Sequence, residues 1–148
     1  MKFRIFSIVW ILFLSCASLY AQNDENDLNY KTTIIAGNTD VVFDNTIDYL
    51  QDNGHFLQSL DKQAGFIQAR LFIKDNRVFS AKSGERRTLN FVIRQAEENK
   101  SKVTLNIYID NKHFGGDNSN RTYYYEEQGI SEDKTLYRDV FDQLIKSF

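Results

Sequence analysis

Proline is absent from all 148 residues, and cysteine, methionine and tryptophan occur once each. Without proline, no segment is broken by a missing backbone N–H, and no proline-rich linker divides the chain. The single cysteine, Cys16, lies in the first 21 residues. A domain that follows them therefore has no disulfide and no thiol chemistry. Basic residues are also short: 18 Lys and Arg face 20 Asp and Glu, and two of the 18, Lys2 and Arg4, lie in the first 21 residues. The rest of the chain carries a net charge of about −4. Nucleic-acid binding needs a basic surface that displaces counterions, so that class is excluded. Long apolar runs are missing too. The longest, Ile5 to Leu14, is about ten residues and is interrupted by Ser7, well under the roughly 20 needed to span a bilayer.

That run has the form of an export signal. Met1-Lys2-Phe3-Arg4 supplies a short positive start, and Ser15-Cys16-Ala17-Ser18 supplies small residues. Leu19-Tyr20-Ala21 offers a cleavage site before Gln22. Cleavage before Cys16 would instead leave a lipid-anchored protein in the envelope. Ser15 suits a lipoprotein signal, whereas Phe13 and the bulky Leu14 fit it poorly. The expectation is a signal peptide over 1–21, a polar flexible leader over 22–29, and one domain over 30–148, free in the periplasm. About 127 residues remain after cleavage, enough to bury a core without staples.

Periodicity sets out the elements. Residues 30–36 (YKTTIIA) read as a strand. A helix capped by Thr39 or Asp40 runs to about Asp52, with Val42, Phe43, Thr46, Ile47 and Leu50 on one stripe. Asn53-Gly54 ends it. The period then falls to two. Strands are expected over 55–60, 66–74, 86–97 and 102–110, with Val78-Phe79 extending the sheet or packing on its rim. Turns or loops are expected at 61–65, 75–76, 82–85 and 98–101. Leu89, Phe91 and Ile93 share one face of their strand, and Val103, Leu105, Ile107 and Ile109 share one face of theirs. A ten-residue loop over 111–120 precedes a last strand over 121–128. Ser131 caps a final helix with Leu136, Tyr137, Val140, Phe141, Leu144, Ile145 and Phe148 on its apolar stripe. Two amphipathic helices need a partner, and the apolar sheet face supplies it. The fold class is α+β: a two-layer sandwich of an antiparallel meander sheet, four to six strands, with two helices on one face.

Element order and one stretch carry a resemblance. After a helix and a short strand comes Ser59-Leu60-Asp61-Lys62-Gln63-Ala64-Gly65-Phe66-Ile67-Gln68-Ala69, an acidic-basic turn ending in Ala-Gly and then an alternating strand. In this the chain resembles small exported bacterial domains of unknown function with a TBP-like fold, over most of residues 30–148. A similar helix–turn–Gly pattern occurs in lipoproteins of the outer-membrane assembly machinery. The chain departs from the family at Tyr49-Leu50, where a buried Trp is frequent, and at 111–120. The resemblance implies a fold and an envelope location, and it brings no activity.

Chemistry-bearing residues are sparse. His55 and His113 are the only histidines, about 58 positions apart, and neither has Cys, Asp or Glu at metal-ligand spacing. Neither completes a Ser/Cys–His–acid set, so the reading is not an enzyme, with no cofactor and no metal. Asp110, Asp117, Asn118 and Asn120 lack the oxygen spacing of a calcium loop, and Gly115-Gly116 is too little for a phosphate cradle. Surfaces remain. Arg77, Lys82, Arg86 and Arg87 form a modest basic cluster. In Tyr123-Tyr124-Tyr125, alternation sends either Tyr124 or the Tyr123/Tyr125 pair away from the core. Tyr108 lies on the outer face of its strand. Tyr offers contact area at low entropy cost. The expected partner-binding residues are thus Tyr108, Tyr123, Tyr124, Tyr125, Arg86 and Arg87, and the expected partner is an envelope protein or peptide. The alternative is a carrier of a small apolar ligand or lipid, with a cavity between helices and sheet lined by Phe43, Phe66, Phe72, Phe79, Phe91 and Phe141.

Overall fold

The computed structural model describes residues 29–77, 80, 82–116 and 122–148. The expected signal peptide with Cys16, almost all of the leader, Val78-Phe79, Asp117, Asn118 and Asn120 lie outside the described residues. A 3-10 turn, Asn29–Lys31, leads into β1 (Thr32–Ala36) and α1 (Thr39–Asp52). Four strands follow: β2 (Phe56–Asp61), β3 (Phe66–Lys74), β4 (Lys82–Glu97) and β5 (Lys100–Phe114). The chain then enters β6 (Tyr123–Ile130) and α2 (Lys134–Lys146). Together the strands make one antiparallel six-stranded sheet.

β2 to β5 form the expected meander. The outer edge of β5 is shared by two strands. β1 pairs with Lys100–Thr104, and β6 pairs with Tyr108–Phe114. On the face toward the helices, Ile67, Phe91 and Leu105 stand in one cross-strand row, and Ala69, Leu89 and Ile107 in the next. All six are buried in one core with Val42, Phe43, Tyr49 and Leu50 of α1 and Tyr137, Phe141 and Leu144 of α2. Both helices therefore cover the same face. Tyr49 is an addition to the expected stripe, while Ile145 and Phe148 are exposed, off the row set by Tyr137, Phe141 and Leu144.

The caps differ from expectation by one or two residues. Asn38 caps α1, its side-chain oxygen accepting the Val41 N–H at 2.9 Å. Asp133, not Ser131, caps α2, accepting from Thr135 N–H at 2.9 Å. A carboxylate there satisfies orphan donors and opposes the positive helix end. Ser131 stands one step outside and accepts the Asp133 N–H at 3.2 Å. Gly65, in the turn expected over 61–65, takes a positive φ of +60°, and a Cβ there would collide with the Ile93 carbonyl.

The larger correction concerns strand length. Lys82 to Glu85 are the start of β4 rather than a loop, and Asn111 to Phe114 are the end of β5. Lys82 pairs with His113 and Glu85 with Asn111. Polar residues hide these strand ends because the sheet there runs past the helices, so neither face has to be apolar. At about 3.3 Å per residue, the 16 residues of β4 extend about 50 Å, whereas the 14 of α1 rise about 21 Å. One end of the sheet is thus an arm, built from the end of β3, the start of β4, the end of β5 and the start of β6.

Between β1 and β6, the edge of β5 at Ile107 has no strand beside it among the described residues. The Ser131 N–H donates to the Ile107 carbonyl at 2.8 Å. The buried Tyr137 hydroxyl accepts the Ile107 N–H at 3.2 Å and donates to the Ser131 carbonyl at 3.0 Å. Tyr137→Phe removes that hydroxyl and strands a buried N–H, which costs about 1–3 kcal/mol. Urea unfolding should show the loss, with faster amide exchange at Ile107. A change confined to exchange at the termini would show that the hydroxyl is not a structural joint.

Candidate partner-binding surface

Register divides the arm between two faces. Phe72, Arg86, Asp110 and Glu127 stand in one row on the face away from the helices, and Lys112 and Tyr125 in the next. Phe114 and Tyr123 complete that face. The strand alternation places Tyr108 there as well, beside Thr88 and Ile130. On the other face lie Arg87, Glu85, His113, Tyr124 and Glu126.

Of the six expected residues, Tyr108, Tyr123, Tyr125 and Arg86 thus share the open face. Tyr124 and Arg87 lie on the opposite side, so a patch containing all six does not exist. The tyrosine triplet's open alternative resolves in favour of the Tyr123/Tyr125 pair on the open face. All three tyrosines of the triplet are nevertheless exposed, because neither described helix covers the arm at that point.

The open face is a ladder of cations and rings. The Arg86 guanidinium lies 4.0 Å from the Tyr125 ring centroid, and its Nε donates to Asp110 Oδ2 at 2.8 Å. Asp110 is nearly fully buried, so this pair holds its ring contact in a fixed geometry. Lys112 Nζ sits 4.2 Å from the Tyr123 centroid and 5.3 Å from that of Phe72. Phe114 meets Tyr123 edge to face at 5.6 Å. Such contacts favour one ring orientation and leave the outer ring faces free. The Tyr108 hydroxyl hydrogen-bonds Glu127, which raises the phenol above its usual range, with burial adding to the effect.

The expected basic cluster is not a free one. Arg77 pairs with Asp75 at 2.6 Å, Lys82 with Glu85 at 2.9 Å, and Arg87 with Glu85 at 2.5 Å. The acids that neutralise these cations, Asp75 and Glu85, stand within three residues of them in the sequence. Opposite the ladder, His113 stacks on Tyr124 at 5.3 Å. Its Nε2 is 3.1 Å from Glu126 Oε2 but lacks hydrogen-bond geometry. Among the described residues, no group of three or more His, Cys, Asp or Glu is placed to hold a metal ion.

Where α2 overhangs the sheet, a pocket of about 240 Å³ opens. Its apolar wall is Leu71, Leu89, Ile107, Leu136 and Val140, and its polar groups are His55, Arg87, Asp139 and Gln143. Burial lowers the His55 pKa, against a backbone hydrogen bond at Leu50 that raises it. Of the phenylalanines expected to line a cavity, none among the described residues contributes to this one. Phe43, Phe91 and Phe141 fill the core, Phe66 is half-buried, Phe72 is on the open face, and Phe79 is outside the described residues.

No family model matches the chain, and no curated protein matches it. Among solved structures, the chain is similar to a DUF4468 family protein from Bacteroides ovatus. The alignment covers 83% of this chain and 91% of that one, with 10% identity and a TM-score of 0.42.

Two outcomes follow from the geometry. Asp110→Ala leaves Arg86 without its counter-charge and should cost about 2–3 kcal/mol in urea unfolding. Near-native stability would mean the pair is ornamental. Burial acts to raise the Glu85 carboxyl, but hydrogen bonds from Lys82 and Arg87 outweigh it and hold the group below its usual range. Its folded pKa is depressed, so its contribution is complete above about pH 4.3, the unfolded value, and fades as pH falls toward the folded one. Glu85→Gln should therefore flatten the acid side of the stability–pH curve. An unchanged slope below pH 5 would remove Glu85 from that role.

Proposed function

We propose that this chain is an exported, non-catalytic domain of the cell envelope that binds a protein or peptide partner through the sheet arm. The observation that carries this reading is the open-face ladder: Tyr123, Tyr125 and Phe114, each exposed, are held in fixed orientation by Arg86, Lys112 and the buried Asp110. Exposed rings with locked geometry lose little entropy on contact and suit an interface. Export is supported by the form of residues 1–21, and an envelope location agrees with the resemblance to exported domains of TBP-like fold. The carrier alternative has less behind it. The pocket under α2 is below the roughly 300–1,000 Å³ usual for organic ligands, and charged groups stand among its walls.

Photo-crosslinking residues placed at 123 and 125 in cells should give a discrete adduct, and one at Ile34 should not. Ile34 is an equally exposed position on β1, at the other end of the same sheet. Adducts of equal yield from all three sites, or none from 123 and 125, would end the reading. Mass spectrometry of the exported form should place its first residue at Gln22, with Cys16→Ala leaving the fractionation unchanged. Loss of membrane association in that variant would instead establish the lipid anchor.

A further inference from the structure

The outer edge of β6 has no partner strand among the described residues, since β6 pairs with β5 alone. An exposed edge invites pairing with another chain, and proteins usually blunt it with Lys, Pro or a bulge. β6 (YYYEEQGI) has neither Lys nor Pro, and its one register shift lies toward Gly129, beyond Glu127. Tyr123 to Glu127 therefore run in unbroken register with Phe114 to Asp110 and present five consecutive exposed residues. The free edge of β2 is interrupted between Leu57 and Ser59, and β1 is only five residues long.

Charge identifies the occupant. The edge presents Glu126 and Glu127 beside three tyrosines, two of whose rings already accept cations from within the chain. Opposite charges on facing strands stabilise a ladder and like charges destabilise it. The chain's edge strands and the segment that precedes β1 lack the complement. β1 (TTIIA) and β2 (FLQSLD) contain no Lys or Arg, a second β6 would bring more glutamates, and residues 22–28 hold three acids and no base. We infer that β6 is a strand-addition site for an extended, basic–apolar segment of a partner protein. Its backbone pairs with Tyr123–Glu127, and its cations face Glu126, Glu127 and the tyrosine rings. The inference rests on the arm being the partner surface and names the partner's chemistry and binding mode.

The probe is an eight-residue peptide of alternating Lys and Val, titrated into the mature chain and followed by amide chemical shifts. Its Glu/Val counterpart and a form N-methylated along both backbone edges are titrated in parallel. The Lys peptide should bind with shifts centred on Tyr123–Glu127. The Glu and N-methylated peptides should bind at least about tenfold more weakly, the scale set by exchanging an attractive cross-strand charge pair for a repulsive one, or by lost backbone bonds. E126K/E127K should reverse the charge preference. The N-methylated peptide tests the native protein and does not depend on that variant folding. Undiminished binding by the methylated peptide overturns strand addition while leaving the arm as a surface. So does a shift pattern on β2, failure of the Lys peptide to bind, or a dimer through β6 that the peptide does not dissociate. Absence of crosslinking at 123 and 125, by contrast, removes the underlying reading.

Discussion

Everything outside the core of this fold depends on one phenolic hydroxyl. Along the edge of β5, pairing with β1 stops at Thr104 and pairing with β6 begins at Tyr108. The gap would leave backbone groups of a central strand unpaired inside the protein, at a cost comparable to a lost hydrogen bond for each. The Tyr137 hydroxyl accepts from Ile107 and donates to Ser131, while the Ser131 amide takes the Ile107 carbonyl. The closed set does more than satisfy donors. It sets the point at which the chain leaves β6 and starts α2, so it fixes where helix cover ends. The Tyr137 ring also meets Tyr30 edge to face at 5.1 Å, which joins the entry to β1 to the same point.

Past that point the sheet continues without helices, and its energetics change. Core rows such as Ile67, Phe91 and Leu105 are held by burial, worth about 25 cal/mol per Å² of apolar surface. The arm has little such surface to bury. It is held by backbone ladder bonds, by ion pairs that share Glu85, and by cations laid over rings. Most exposed ion pairs contribute little, but Arg86–Asp110 is different because the carboxylate is nearly inaccessible to water. The arm's side-chain charges are therefore mostly committed internally. A surface intended for anions would leave its arginines free.

The helices, the meander and the shared apolar face were legible in the sequence because burial imposes a period on it. Val103, Leu105 and Ile107 alternate since every second residue must enter the core. That same dependence explains what was not legible. Residues 82–85 and 111–114 lie in strands where no burial imposes alternation, so Lys82-Ser83-Gly84-Glu85 and Asn111-Lys112-His113-Phe114 look like loops. The candidate surface was legible as residue types and not as a shared face. Tyr108, Tyr123, Tyr125 and Arg86 do share a face, but Tyr124 and Arg87 left it because parity separates neighbours in a strand. Asp110, which organises the ladder, stood out in the sequence only as the last residue of an alternating run and as one of four oxygen-bearing residues without calcium-loop spacing. Tyr137 was visible only as one apolar member of a helical stripe, since its hydroxyl's partners lie 6 and 30 positions away in the chain.

An uncovered arm raises a question of selection against aggregation, and the composition bears on it. The domain contains no proline, so the usual interruption of an edge strand is unavailable to it. A bulge guards the end of β6 near Gly129, and Glu126 and Glu127 guard the middle. Negative charge repels a second copy of an acidic protein, while a basic strand meets no such barrier. Under the strand-addition proposal, the same two residues would oppose self-pairing and favour a partner of opposite sign. Tyrosine suits the remaining positions under that constraint. Its ring offers area and accepts a cation, while its hydroxyl keeps the exposed edge hydrated when no partner is present.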